Sequence, residues 1–205
     1  MMVIGNPRFM RSRWAWWALF LLSAMPSLWL LSLYFFNPRA LGIDATERLL
    51  QESGEWALRL LLITLACSPL KRIGIKWPLR YRRMFGLFAF YYATLHLSTY
   101  LFGWIELDMA TFIDDLTKRP FIYLGMMTWI ILLVLAATSP KWVVKALKQR
   151  WVILHKAVYL AIGLAWVHLW MQSRASAADA LLYLAIIVVL LGERLLRSRW
   201  FKIAS

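Results

Sequence analysis

From Trp14 to Phe36 the chain runs without a charged residue. A run of this length constrains the fold more than any other feature of the sequence. About 20 helical residues cross a hydrocarbon core of ~30 Å, and inside that core every backbone polar group needs an internal partner. Further segments approach the same length, giving predicted spans at about 14–36, 55–70, 84–104, 120–138, 151–171 and 179–196. None alternates apolar and polar residues as a strand of an outer-membrane barrel does, so the spans read as helices. Pro38, Pro69, Pro78, Pro120 and Pro140 fall at or beyond span ends, where a missing N–H costs little. Arg8, Arg11 and Arg13 precede an apolar run too long for a signal-peptide core, which makes the first segment a retained span. No internal repeat or low-complexity linker divides the chain. Residues 1–205 therefore read as one domain, an all-α integral membrane protein built as a bundle of six transmembrane helices.

Composition agrees: 62% of residues are hydrophobic and 17% charged, with mean hydropathy +0.62, outside the range of soluble domains. The net charge of +14 does not point to nucleic acid, because the basic residues sit in short clusters between apolar runs, where they act as topology signals in a lipid bilayer. The N-terminus, residues 71–83, residues 141–150 and the tail hold seventeen of the 24 Lys and Arg, whereas the alternate connections hold nine of the ten acids. Both termini are thus expected on the cytoplasmic side, and the third and fifth spans run parallel, outward from the cytoplasm. Cys67 is the only cysteine, which excludes an intramolecular disulfide, a CxxC redox motif and four-cysteine iron–sulfur ligation.

The chain has three histidines. His96 lies about twelve residues into the third span, His168 about seventeen into the fifth and His155 only about four, at ~1.5 Å per residue. Parallel spans then let His96 meet His168 in the outer half of the bilayer and leave His155 near the cytoplasmic face. Ionisable residues inside spans are costly and face the bundle interior. Four readings compete: hydrogen bonds to a neighbouring helix; a histidine-based proton or metal transporter; a haem-independent membrane anchor of a periplasmic enzyme; or b-type haem held by neutral imidazoles. Transporters usually add intramembrane carboxylates, which the deep parts of these spans lack. CxxCH is absent, which excludes covalent haem.

At ~100° per residue, His155 and His168 lie about 140° apart around a straight helix, so a second haem at His155 needs another flank or a bend. Met84 and the pair Arg82–Arg83 lie at matching depth on the third span. Methionine can ligate haem iron, and arginine suits propionates. Arg59, one turn from Glu55, serves either a propionate or an i,i+4 pair. Lys156 reaches toward the cytoplasmic headgroups. Most of the thirteen Trp and eight Tyr lie near span ends, as an interfacial belt.

The stretches "RRMFGLFAFYYATLHLSTY" (82–100) and "RWVILHKAVYLAIGLAWVHLW" (150–170) resemble the MsrQ (YedZ) family. These are haem-binding membrane subunits of the periplasmic methionine-sulfoxide reductase system, within the ferric-reductase-like transmembrane superfamily. In the superfamily, helices three and five each bring two histidines and stack two haems. Here Arg82 or Arg83 stands where the first histidine of helix three falls, so His96 matches the second. The resemblance implies haem b ligated by His96 and His168, FMN, and a bacterial inner-membrane location, while the missing helix-three histidine leaves His155 without the partner that a second haem needs. It implies electron transfer from quinol or a cytoplasmic flavin reductase to the periplasmic molybdopterin enzyme MsrP, where the sulfoxide is reduced. About nine residues follow the predicted sixth span and GxGxxG is absent, so no nicotinamide domain is expected on this chain. The predicted outer connections, 37–54, 105–119 and 172–178, are too short for a catalytic domain.

Overall fold

The computed structural model describes residues 8–172 and 177–203. The remaining residues, including Arg174 and most of the predicted outer connection 172–178, lie outside the described ones. Every regular element among the described residues is helical. The first helix, α1 (Arg13–Phe36), starts where the Ser12 side chain accepts the Ala15 amide at 3.1 Å, satisfying one of the orphan donors of a helix start. Pro26 lies inside it. One residue on, the Tyr92 hydroxyl enters the ladder, accepting from the Ser27 amide at 3.0 Å and donating to the Ser23 carbonyl at 2.9 Å, so a side chain bridges the helix next to the proline.

The predicted second span is the inner part of a longer helix, α2 (Ala45–Arg72). It begins ten residues earlier because Asp44 caps it, accepting the amides of Thr46 and Glu47 at 2.9 Å each. Much of the predicted connection 37–54 is therefore helix. Pro69 falls within α2 and not at its end. The third span starts at Pro78, α3 (Pro78–Ser98), and continues as a π-helical segment, Thr99–Trp104. The connection after it holds α4 (Met109–Lys118), capped by Asp108. The Thr111 hydroxyl, with the Ala110 amide, holds the Asp108 carboxyl below the usual carboxylate range.

Pro120 opens α5 (Pro120–Ala137), where an N-terminal proline loses no helical bond. Two short helices follow, α6 (Lys141–Leu147) and α7 (Gln149–Leu154). The predicted fifth span is interrupted by a 3₁₀ turn, His155–Ala157, before α8 (Val158–Gln172). A straight-helix angle between His155 and His168 therefore does not apply. The last element is α9 (Ala177–Ile203).

By length and composition, Arg13–Phe36, Pro120–Ala137 and Gln149–Gln172 are long and apolar enough to cross a membrane. The long helices α2, α3 and α9 carry more charge, concentrated toward their ends. Helices α2 and α3 pack as one antiparallel hairpin and α5 and α8 as another, with α1 against α3 and α9 against α2 and α8. A continuous core joins the hairpins through Leu65, Tyr92, Ala89, Leu132, Ala161 and Ile162. Large apolar side chains such as Leu22, Trp29 and Val189 stay on the outside, as a lipid-facing surface requires.

Candidate functional site

Each hairpin carries one histidine toward the other. His96 is in the last turn of α3 and His168 in the last two turns of α8. Their ring centroids are 6.0 Å apart, with the planes nearly perpendicular at 87°. Imidazole nitrogens bind a metal ion at ~2 Å each, so two neighbouring rings of this kind are candidates to share one.

The same backing holds both rings. The Nδ1 of His96 bonds the Leu50 carbonyl of α2 at 2.8 Å, and the Nδ1 of His168 bonds the Phe121 carbonyl of α5 at 2.6 Å. A carbonyl only accepts, so each Nδ1 carries the proton and Nε2 keeps its lone pair, the tautomer of a metal-ligating histidine. Four residues on from each carbonyl stands a glycine. A Cβ on Gly54 would lie 2.9 Å from His96 Nδ1, and one on Gly125 would lie 2.9 Å from His168 Cε1 and Nδ1. Any side chain at either position would occupy the space of an imidazole. The cradle therefore fits two neutral imidazoles presented to one metal centre. The hairpins are tied beside it, where Trp129 Nε1 donates to Thr94 Oγ1 at 3.1 Å and the ring of Trp129 lies 6.1 Å from Phe90.

His155 is held differently. Its Nδ1 bonds the Trp151 carbonyl at 3.2 Å, and its ring stacks on Trp151 at 3.9 Å. Both contacts are with Trp151, one turn back, and the Leu135 backbone of α5 also acts on the ring. Helical geometry separates the arginine pair: Arg83 is exposed, while Arg82 turns inward, close enough for its charge to act on His155, Cys67 and Arg194. Met84 is buried in the core with Tyr81 and Phe85. Lys156 is exposed. Among the described residues no three His, Cys, Asp or Glu converge as metal ligands, so the three histidines do not form one site.

Arg59 adopts the i,i+4 alternative. It pairs with Glu55, donates from Nε to the Tyr183 hydroxyl at 3.0 Å and lies 5.0 Å from the Trp56 ring centre. A second arginine carries no sequence signal beyond topology. Arg194 Nη2 donates to the Leu65 carbonyl at 2.7 Å, its guanidinium lies 5.0 Å from the Tyr159 ring centre, and its buried Nη1 has no hydrogen-bond partner. Gly54 and Gly125 are likewise silent in the sequence. A mid-helix glycine costs ~1 kcal/mol relative to alanine, which hints at a packing reason without naming the neighbour.

Residues 53–166 match the family described as "Ferric reductase like transmembrane component". The match covers His96 and His155 and stops short of His168. Over 185 residues, 90% of this chain and 83% of the relative, the sequence is 38% identical to the "Protein-methionine-sulfoxide reductase heme-binding subunit MsrQ" of Brucella ovis. The same values hold for the MsrQ proteins of Brucella canis and Brucella suis.

Proposed function

Because the chain belongs to the MsrQ family of ferric-reductase-like transmembrane proteins, we propose that it is a b-type cytochrome that relays electrons across the bacterial inner membrane to the periplasmic reductase MsrP. The observation that carries this reading is the His96–His168 pair, 6.0 Å between ring centres, with each Nδ1 tied to a carbonyl and each ring seated over a glycine. A solitary structural histidine needs one such bond; two mirror-arranged imidazoles with free Nε2 atoms suit a ligand pair.

In this reading α1, α2, α3, α5, α7 with α8, and α9 make six spans, with both termini cytoplasmic by the distribution of Lys and Arg. Bound haem b supplies one-electron redox chemistry, its potential set by ligand identity, hydrogen bonding and burial. His96 and His168 would hold it through Nε2. Leu50 and Phe121 fix their tautomer and raise their basicity through Nδ1. Phe90 and Trp129 pack between the hairpins beside Thr94. His155, with Arg82 turned toward it, marks the cytoplasmic entry and is the candidate ligand of a second haem, and Arg59 serves the bundle through Glu55 and Tyr183. Electrons come from quinol or from a cytoplasmic flavin reductase, with FMN as a further cofactor implied by family resemblance. Two one-electron transfers and two protons convert each sulfoxide on the partner to a thioether and water.

The test is an absorption spectrum of the purified chain, followed by titration with reduced donor and with MsrP. A sharp reduced α-band that His96→Ala and His168→Ala each abolish supports the relay. A colourless protein that still binds MsrP would make it an anchor, and proton or metal flux without haem would make it a transporter.

A further inference from the structure

We infer that Arg194, with Arg82 and Arg72 beside it, forms a binding site for an oxyanion group, carboxylate or phosphate, of a molecule seated next to His155. The site begins with Pro69. A proline has no amide hydrogen, so the carbonyl four residues earlier, that of Leu65, loses its helical donor. Arg194 Nη2 reaches across from α9 and fills that acceptor at 2.7 Å. The ring of Tyr159, 5.0 Å away, lies against the same guanidinium. One edge of Arg194 is thereby fixed on α2 and one face on α8. The other amino group, Nη1, is buried with no hydrogen-bond partner.

A guanidinium fixed in this way is an incomplete fork. It favours two-oxygen anions, to which arginine binds bidentately. The surroundings add charge of the same sign. Arg82 acts on both Arg194 and His155, and Arg72 acts on Arg194. Arg72 is paired with Glu193, whereas neither Arg82 nor Arg194 forms an ion pair among the described residues. Gathering uncompensated cations in a half-buried site is costly unless an anion joins them. The inference rests on the relay reading only for the molecule's identity. A haem propionate, the phosphate of FMN and the phosphate of a membrane lipid share the required chemistry.

The experiment purifies the full chain as wild type, Arg194→Gln and Arg194→Lys, and measures haem b, acid-released FMN and tightly bound phospholipid phosphate per chain. Gln keeps a neutral donor for the Leu65 carbonyl, while Lys keeps the charge and loses the fork. The expected result is that one species falls by at least about tenfold in Arg194→Gln, and less in Arg194→Lys, with the α-band that depends on His96 and His168 intact. The species lost names the source. If all three stay at wild-type amounts, the site is overturned. If Arg194→Gln lacks the outer band, Arg82→Gln and Arg194→Lys take its place under the same criterion. A wild type without haem would sink the relay reading but leave the oxyanion site to be decided by flavin and lipid.

Discussion

His96 and His168 are backed by a carbonyl and a glycine of a neighbouring helix, whereas His155 rests mainly on Trp151 of its own turn, with the Leu135 backbone of α5 as its contact from outside. The outer rings each lean on a carbonyl and a glycine of the partner helix in the hairpin. The inner ring leans on Trp151, one turn back. An imidazole fixed by a second helix is preorganised before any metal arrives, so little ordering cost remains. One stacked mainly on its own turn has less such backing, and here the turn is 3₁₀, a geometry with poorer hydrogen bonds. The two ends of the bundle thus differ in preparation: one brings two imidazoles together, and the other has a single histidine with Arg82 near it.

The largest effect tests that difference directly. His96→Ala and His168→Ala are expected to lower electron delivery to MsrP by more than ~100-fold, beyond what loss of a supporting residue costs a metal site. His155→Ala is expected to leave the outer α-band in place and slow only reduction from the donor side. Spectra and stopped-flow reduction of the three variants in one membrane preparation make the comparison. An unchanged delivery rate in His168→Ala, or loss of all haem in His155→Ala, would erase the contrast.

Next in size is the backing. Gly54→Ala and Gly125→Ala place a methyl carbon 2.9 Å from imidazole atoms, inside contact distance, so the ring must shift or lose its carbonyl. Haem retention during purification should fall ~10–100-fold, the usual cost of disturbing an outer-shell partner. Gly163 is the control: it lies in α8 near His168, but a Cβ there meets nothing within 4 Å. Gly163→Ala should keep the haem and gain up to ~1 kcal/mol of helix stability. Equal haem loss in all three variants would mean that helix packing in general, and not the cradle, governs retention.

These glycines mark where sequence reasoning stops. Depth arithmetic along parallel spans brings His96 opposite His168, because rise per residue is fixed by helix geometry. It cannot find Gly54 or Gly125, since their role depends on which face of α2 meets α3 and which face of α5 meets α8. The charge pattern that sorts Arg194 with the tail as a topology signal is also blind to Pro69, whose freed carbonyl on another helix gives that arginine its position. The start of α2 escaped for a different reason. Its first turns carry Glu47, Arg48 and Glu52, so hydropathy ends the segment at 55, while Asp44 caps a helix that extends well before it. The interruption at His155 leaves no mark at all, as "ILHKAVYL" is as good a helical sequence as its neighbours.

The smallest expected effect lies between the hairpins. Trp129 donates its indole N–H to Thr94 at 3.1 Å, two residues before His96, and is the polar link between α3 and α5 beside the outer site. Trp129→Phe keeps an aromatic ring against Phe90 and deletes that bond. The stability loss should be ~0.5–1.5 kcal/mol, the net worth of one hydrogen bond, visible as a lowered Tm of the haem-loaded chain. The site specificity is the informative part. If the hairpins hold the outer pair at its separation, the outer haem's midpoint potential or its low-temperature band shape should move while the signal that depends on His155 stays fixed. A shift confined to the His155-dependent signal would mean that the two ends are mechanically coupled through α8, and that the outer site is not the independently preorganised unit its backing implies.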